Sequence, residues 1–254
     1  MKKILIGVGL VLIVLGLFLY LRKDKKIIQV EEEKVVKIKD VMFKFVVMAD
    51  VHNDIDDLKK ALEMEKVSLV VIAGDLTING TEKEQQTIKN ILNDNIYVIP
   101  GNHDDYKNVW IFGKKYQSIS EGNFKMILID NSNWRGLGEE QKKWIENEVQ
   151  VCRVIKCVVV MHMPLENNFS AHIMGEYLKS TAEEAKWLKS LLLNNNVKTG
   201  YSGHLHYNSS YTIDGWQTVL VGAITRDRNT ESPRYTEVTV YSDGSMENEV
   251  KIID

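Results

Sequence analysis

Phe45-Val46-Val47-Met48-Ala49-Asp50-Val51-His52 is the stretch that decides how this 254-residue chain is read. A short apolar run ends on an aspartate and a histidine two places apart. The layout then returns along the chain. Asp75 follows Leu69-Val70-Val71-Ile72, and Asn102 and His103 follow Ile96-Tyr97-Val98-Ile99. His162 follows Val158-Val159-Val160-Met161, and His204 and His206 lie just past Val197-Lys198-Thr199-Gly200-Tyr201. Five of the six histidines fall in this pattern. Apolar runs of this length, bounded by turn residues, fit buried strands. Polar residues gathered at the ends of several such strands mark where an open α/β sheet places its ligand site. Aspartate, histidine and asparagine together are the donor set of a metal centre.

Spacing sharpens that reading. In an extended chain residues i and i+2 point the same way, so Asp50 and His52 can reach one ion, and so can His204 and His206. Gly74, Gly101 and Gly203 stand immediately before Asp75, Asn102 and His204. They remove side chains where the backbone turns beside the ions. Pro100 stiffens the approach to the third turn.

Between the strands the pattern is helical. The spacing predicts helices over 56–65, 81–93, 139–149 and 181–193. Thr81 with Glu84, and Thr181 with Glu184, suit capping boxes. A strand is predicted over 124–130, and later strands over 211–213, 217–221, 235–241 and 249–253. Asp214-Gly215 and Asp243-Gly244 suit hairpin turns. The fold class is therefore α/β, with a largely parallel early half and an antiparallel late half, arranged as two packed mixed sheets flanked by helices. Cys152 and Cys157 read as structural thiols, because their odd spacing sets them on opposite faces of an extended strand.

The N-terminus is different. Residues 4–21 carry no charged side chain, and Lys2 and Lys3 precede them while Arg22, Lys23, Lys25 and Lys26 follow. As a helix this run reaches about 27 Å, close to the hydrocarbon thickness of a bilayer. It ends without a small-x-small cleavage site, so the reading is an uncleaved single-pass transmembrane anchor. A charged juxtamembrane stalk over 22–40 follows, with an edge strand around 35–38, and then a catalytic domain over 41–254. Basic residues on both flanks leave open which side of the membrane the domain faces. The net charge of −3 argues against a non-specific nucleic-acid binder.

Taken in order, Asp50-x-His52, Gly74-Asp75, Gly101-Asn102-His103-Asp104, His162 and Gly203-His204-x-His206 resemble the motifs of the calcineurin-like metallophosphoesterase superfamily. They look most like its cyclic-nucleotide phosphodiesterase-like and small phosphohydrolase branch. The resemblance implies two divalent or trivalent transition metal ions, of Mn, Fe, Zn or Ni type. Asp50, His52 and His206 would hold one, Asn102, His162 and His204 the other, and Asp75 would bridge them. It also implies hydrolysis of a phosphomonoester or phosphodiester by a metal-bridging hydroxide. His103 would protonate the leaving oxygen or steady the phosphoryl group, and Asp104 would orient His103. Two departures bear on substrate: His162 is followed by Met163-Pro164-Leu165 rather than a Pro-Pro pair, and His206 by Tyr207-Asn208-Ser209 rather than Gly-Gly-Gln. A non-catalytic interaction module and a nuclease of the same superfamily are the rival readings. His172, Arg226 and Arg228 match no motif and read as solvated.

Overall fold

A computed structural model describes residues 39–65, 67, 69–104 and 109–254. The predicted anchor over 4–21, and the predicted stalk apart from residues 39 and 40, lie outside the described residues. Among the described residues no helix is long and apolar enough to cross a membrane.

The apolar runs form strands that are covered on both faces. In chain order the elements are β1 (Val41–Met48), α1 (Ile55–Met64), β2 (Val70–Ala73), α2 (Glu82–Lys89) and β3 (Ile96–Ile99). There follow β4 (Gln117–Glu121), β5 (Phe124–Ile129), α3 (Glu139–Glu148), β6 (Lys156–Met161), α4 (Lys179–Asn194) and β7 (Thr199–Ser202). The chain ends with β8 (Asn208–Ile213), β9 (Trp216–Val221), β10 (Arg234–Tyr241) and β11 (Met246–Ile252). One sheet has the order β11-β10-β1-β2-β3 and the other β4-β5-β6-β7-β9-β8.

Strand periodicity assigns each residue to a layer. Phe45 and Val47 of β1 face the second sheet, where they join Phe124, Met126, Leu128, Val158, Val160 and Tyr201 in the central core. Val46 and Met48, one residue out of phase, pack with Leu58 and Ala61 of α1 and Ile88 of α2. On the outer face of the second sheet Ile127, Val159 and Met161 meet Ile145 of α3 and Ala185, Leu188 and Leu192 of α4. Burial on both faces explains why these strands read as unbroken apolar runs rather than alternating ones.

Parallel pairing fixes where the loops emerge. Val46, Val47 and Met48 lie opposite Val70, Val71 and Ile72, and Val70 to Ala73 lie opposite Ile96 to Ile99. In the second sheet β5, β6, β7 and β9 are parallel. All five polar motifs therefore leave from the C-terminal ends of parallel strands.

Three expectations need correction, and one strand escaped the sequence reading. Both sheets are mixed, as expected, but the late hairpins form no separate antiparallel half: β8–β9 completes the edge of one sheet and β10–β11 joins β1 in the other. Thr181 is not a cap, because α4 begins at Lys179 behind Leu178. Its hydroxyl donates to the Trp134 carbonyl at 3.1 Å, and Glu184 accepts from the Leu137 amide at 2.6 Å, so both tether the neighbouring loop instead. Cys152 and Cys157 form a disulfide, with Cα atoms 5.5 Å apart. The strand-face argument failed because Cys152 lies in a 3-10 turn (Val149–Arg153) that folds back before β6 begins. The strand β4 was not predicted; its sequence Gln-Ser-Ile-Ser-Glu has one apolar residue, and it is an edge strand held by pairing with β5. By contrast the Thr81–Glu84 capping box forms in full.

Candidate metal centre

The strand ends bring Asp50, His52, Asp75, Asn102, His162, His204 and His206 into one cluster. Asp50 and His162 are fully buried, and Asp75, His52 and His204 nearly so. The convergence is not that of an extended chain. Asp50, His52, Asp75, His204 and His206 all have positive φ, of 54°, 44°, 52°, 71° and 54°. Non-glycine residues reach that region at a cost, and five in one cluster mark a backbone bent for function. Each i, i+2 pair meets because its loop coils tightly past the strand end.

Two glycines make the coil possible. A Cβ on Gly74, where φ is 88°, would lie 2.6 Å from Nδ1 of His162 and 2.7 Å from the Gly101 nitrogen. A Cβ on Gly101 would lie 2.1 Å from Oδ1 of Asp75 and 2.2 Å from its nitrogen. The loops after β2 and β3 therefore touch through bare backbone.

Hydrogen bonds aim the donor atoms. The His204 amide donates to both oxygens of Asp50, at 3.1 and 2.8 Å. The His103 amide donates to Oδ1 of Asp75 at 2.9 Å, leaving Oδ2 toward the cluster. Nδ1–H of His162 donates to the Ala73 carbonyl at 2.8 Å, which fixes the ring and makes Nε2 the nitrogen that can ligate once it has lost its proton. That Nε2 lies 3.1 Å from Nδ1 of His204, 3.1 Å from Oδ1 of Asn102 and 3.3 Å from Oδ2 of Asp75. On the other side Nε2 of His52 lies 3.1 Å from Nε2 of His206 and 3.6 Å from the same Oδ2 of Asp75. Nε2 of His206 is 3.8 Å from Oδ1 of Asp50.

These spacings suit ions. Bonds of about 2.0–2.2 Å separate neighbouring donors on one ion by roughly 3.0–3.5 Å. The facing imidazole nitrogens, 3.1 Å apart in each pair, stand at the distance of an N–H···N hydrogen bond, which is also close enough for both to ligate one ion. The groups Asp50–His52–His206 and Asp75–His162–His204 each gather three donors, and Asp75 Oδ2 lies within reach of both.

Electrostatics points the same way. Burial pushes the Asp50 carboxyl well above the usual carboxylate range; His162 pulls against it and Asp75 adds to the rise. Burial also drives His52 down to about 4 and His204 down to about 2, favouring the neutral, ligating form. His162 goes the other way: burial opposes its charge, but Asp75 and then Asp50 raise it to about 9. Buried carboxylates facing buried imidazoles want compensating positive charge.

His103 sits beside this cluster, its ring 4.8 Å from that of His52 and edge-on to it. Nδ1–H of His103 donates to the Ile78 carbonyl at 2.7 Å. His52, Asp75 and His103 also bring donor atoms within one small group, so Nε2 faces inward. Asp104 does not orient His103. Its Oδ2 accepts from the Leu76 and Gly101 amides at 3.1 and 2.9 Å, and its Oδ1 from the Thr77 amide and hydroxyl at 2.9 and 2.8 Å. It staples the β2 loop to the β3 loop, and the Ile78 carbonyl takes the orienting place expected for it.

Sequence reasoning missed His172. Its ring stacks on that of His204, with centroids 4.0 Å apart and planes 24° apart, and its Nδ1 is paired with Glu176. The i, i+4 spacing of His172 and Glu176 was the available signal. Arg228 lines the same cleft, whereas Arg226 is bound to Asp57 at 2.7 Å. Asn53 turns away, donating to Glu84 at 2.7 Å.

Two mixed sheets with a paired Asp/His/Asn cluster at their strand ends define an α/β fold built around a candidate two-metal centre. The chain belongs to the calcineurin-like phosphoesterase family, whose profile matches residues 43–208. That fold uses a binuclear divalent metal centre, and the His/Asp clusters here suit one. The chain is 30% identical to a probable glycerophosphodiester phosphodiesterase of Arcobacter nitrofigilis over 117 residues, 39% of this chain and 42% of that protein. It is 26% identical to a probable cyclic nucleotide phosphodiesterase of Coxiella burnetii over 169 residues, 61% of this chain and 66% of that one. It thus spans less than two thirds of the curated relatives it matches. Among solved structures, a dimetal phosphatase from Danio rerio aligns with a TM-score of 0.63 at 17% identity, covering 85% of this chain and all of the other.

Proposed function

We propose that this protein is a metal-dependent phosphoric ester hydrolase, acting on phosphomonoesters or phosphodiesters and anchored to a membrane by residues 4–21. The observation that carries the reading is the shared position of Asp75 Oδ2, 3.6 Å from His52 Nε2 and 3.3 Å from His162 Nε2. Asp50, His52 and His206 would hold one ion, Asn102, His162 and His204 the other, and Asp75 would serve both. When bound, such ions supply a nucleophile from water near neutral pH and offset charge on the phosphoryl oxygens. His103, fixed through Nδ1, presents Nε2 to the transferring group, where it steadies the phosphoryl oxygens or protonates the leaving oxygen. Asp104 acts only by positioning, through the loop that carries His103. His172 and Arg228 line the entry and face the incoming ester.

The anchor reading rests on the apolar run and its basic flanks. Reporter fusions to either end of the chain determine the side on which the domain lies. The hydrolase reading is tested with Mn²⁺-loaded protein against a panel of nucleotide diesters, simple monoesters and phospholipid-derived phosphates. Wild-type turnover at least a hundred-fold above that of Asp75→Ala is expected on one class. Equal rates across the panel would leave the fold serving as an interaction module.

A further inference from the structure

The metal centre opens into two cavities rather than one. The first, of about 310 Å³, is open and polar, and contains Asp75, His103, His206 and Arg228. The second, of about 280 Å³, lies on the other side of His172 and His204. The two cavities share Asn102, His172 and His204, so the stacked imidazole pair is the partition between them.

The second cavity has a different chemistry. Trp134, Met163, Ile173, Met174 and Tyr177 line it, together with a few polar groups that include Glu176, the partner of His172. Met163 and Met174 are buried, while Trp134 and Tyr177 stand 49% and 68% exposed at the mouth. Exposed large aromatics beside a buried apolar floor are costly on a free surface and useful in a binding pocket. Rings and thioethers together favour a flat apolar group, through stacking and sulfur–aromatic contact.

The pocket is built rather than incidental. Asn131 clamps its floor, donating to the Met163 carbonyl at 2.7 Å and accepting from the Met163 amide at 3.1 Å. The Met174 amide donates to the Pro164 carbonyl at 3.0 Å, and the Trp134 carbonyl is held by Thr181 at 3.1 Å. The guanidinium of Arg135 lies 4.9 Å from the Trp134 ring and supports it. Two loops, 130–138 and 162–178, are thus fixed with the start of α4 around one apolar space beside the candidate metal ligands.

We infer that this second cavity is the subsite for the organic part of the substrate, and that it selects phosphate esters bearing a ring-sized, flat, apolar group. The inference rests on the hydrolase reading of the adjoining site. With the phosphoryl group at the metal ligands, an ester substituent passing His172 enters the apolar cavity, and a second, polar substituent faces Arg228. The volume is at the small end of ligand pockets, which run from roughly 300 to 1,000 Å³. It admits an aromatic ring and not a long acyl chain. A small polyol such as glycerol gains nothing from such walls.

Two measurements test this. Mn²⁺-loaded protein hydrolyses benzyl methyl phosphate and ethyl methyl phosphate, followed by phosphorus NMR, so that leaving alcohols of similar basicity are compared. Separately, calorimetry compares phenylphosphonate with methylphosphonate, which are not turned over. The wild type is expected to favour the ring-bearing compound by about ten-fold or more in both. Trp134→Ala and Ile173→Glu are expected to remove that preference while keeping the wild-type fold, as read by circular dichroism. Hydrolysis with no ring preference, or a preference that both variants keep, overturns the subsite and leaves the hydrolase standing. Selective phenylphosphonate binding that the variants abolish, with no hydrolysis of either ester, supports the subsite and sinks the hydrolase reading instead.

Discussion

Replacing Asp104 separates a positioning role from a chemical one. The residue is fully buried and accepts four hydrogen bonds, from the Leu76, Thr77 and Gly101 amides and the Thr77 hydroxyl. Asp104→Ala leaves three amides and a hydroxyl without an acceptor inside the protein. Hydrogen bonds to a charged group contribute about 1.5–3 kcal/mol each, but they are not additive where one carboxylate serves all. Burial, followed by the charge of Asp75, raises the carboxyl to about 6, so loss of a disfavoured charge offsets part of the cost. The net expectation is about 3–5 kcal/mol for Asp104→Ala and about 2 kcal/mol for Asp104→Asn, which keeps one acceptor oxygen. At roughly 2–4 °C per kcal/mol for a domain of this size, the alanine variant melts about 10 °C lower. Differential scanning calorimetry reads this directly. A pH–rate profile of the asparagine variant completes the test, and its shape is expected to match the wild type. An asparagine variant with unchanged Tm and a displaced limb in that profile would refute the positioning role and return Asp104 to the chemistry.

Other perturbations follow from the same geometry. Gly101→Ala forces a Cβ to within 2.1 Å of Asp75 Oδ1, so it is expected to cost about 2–4 kcal/mol and to weaken metal binding. Gly113→Ala, at φ 94° with nothing nearby, is the control, and calorimetry is expected to show only about 1 kcal/mol. His162 is raised to about 9 in the metal-free protein, chiefly by Asp75 acting against burial. Since a ligating imidazole must lose that proton, Mn²⁺ affinity is expected to rise up to about ten-fold per pH unit between neutrality and that value. Affinity that is flat with pH by calorimetry would contradict this. Cys152→Ser closes no loop and is expected to cost about 2 kcal/mol, with kcat unchanged, as the disulfide lies behind α3 and away from the cluster. His103→Ala is expected to keep its metals and lose most turnover; loss of metal on mass spectrometry would place His103 among the ligands.

The sequence made the site more legible than its surroundings, for physical reasons. Val46-Val47-Met48 and Val158-Val159-Val160 are buried on both faces, so their apolar runs are unambiguous and their polar ends mark one edge of each sheet. Local chemistry also read correctly at Thr81 and Glu84, whose partners are three residues apart. Long-range competition was not legible. Glu184 and Thr181 have the same local pattern, but Leu137 and Trp134 claim them across more than forty residues. Asp104 looked like a neighbour for His103 in sequence, yet a buried loop contact with Leu76 and Thr77 takes all its acceptor capacity. His172 carried no motif because its role comes from stacking on His204, a contact between two loops. Extended geometry does not bring Asp50 beside His52; positive φ at both residues does.

The central claim is that one carboxylate, Asp75, joins two sets of ligands into a two-ion site. Metal content after loading and exhaustive gel filtration, read by inductively coupled plasma mass spectrometry, tests it most directly. The account predicts two ions per wild-type chain and less than one in Asp75→Ala, with turnover lost in parallel. Two ions retained by Asp75→Ala, or a single ion in a fully active wild type, would contradict it.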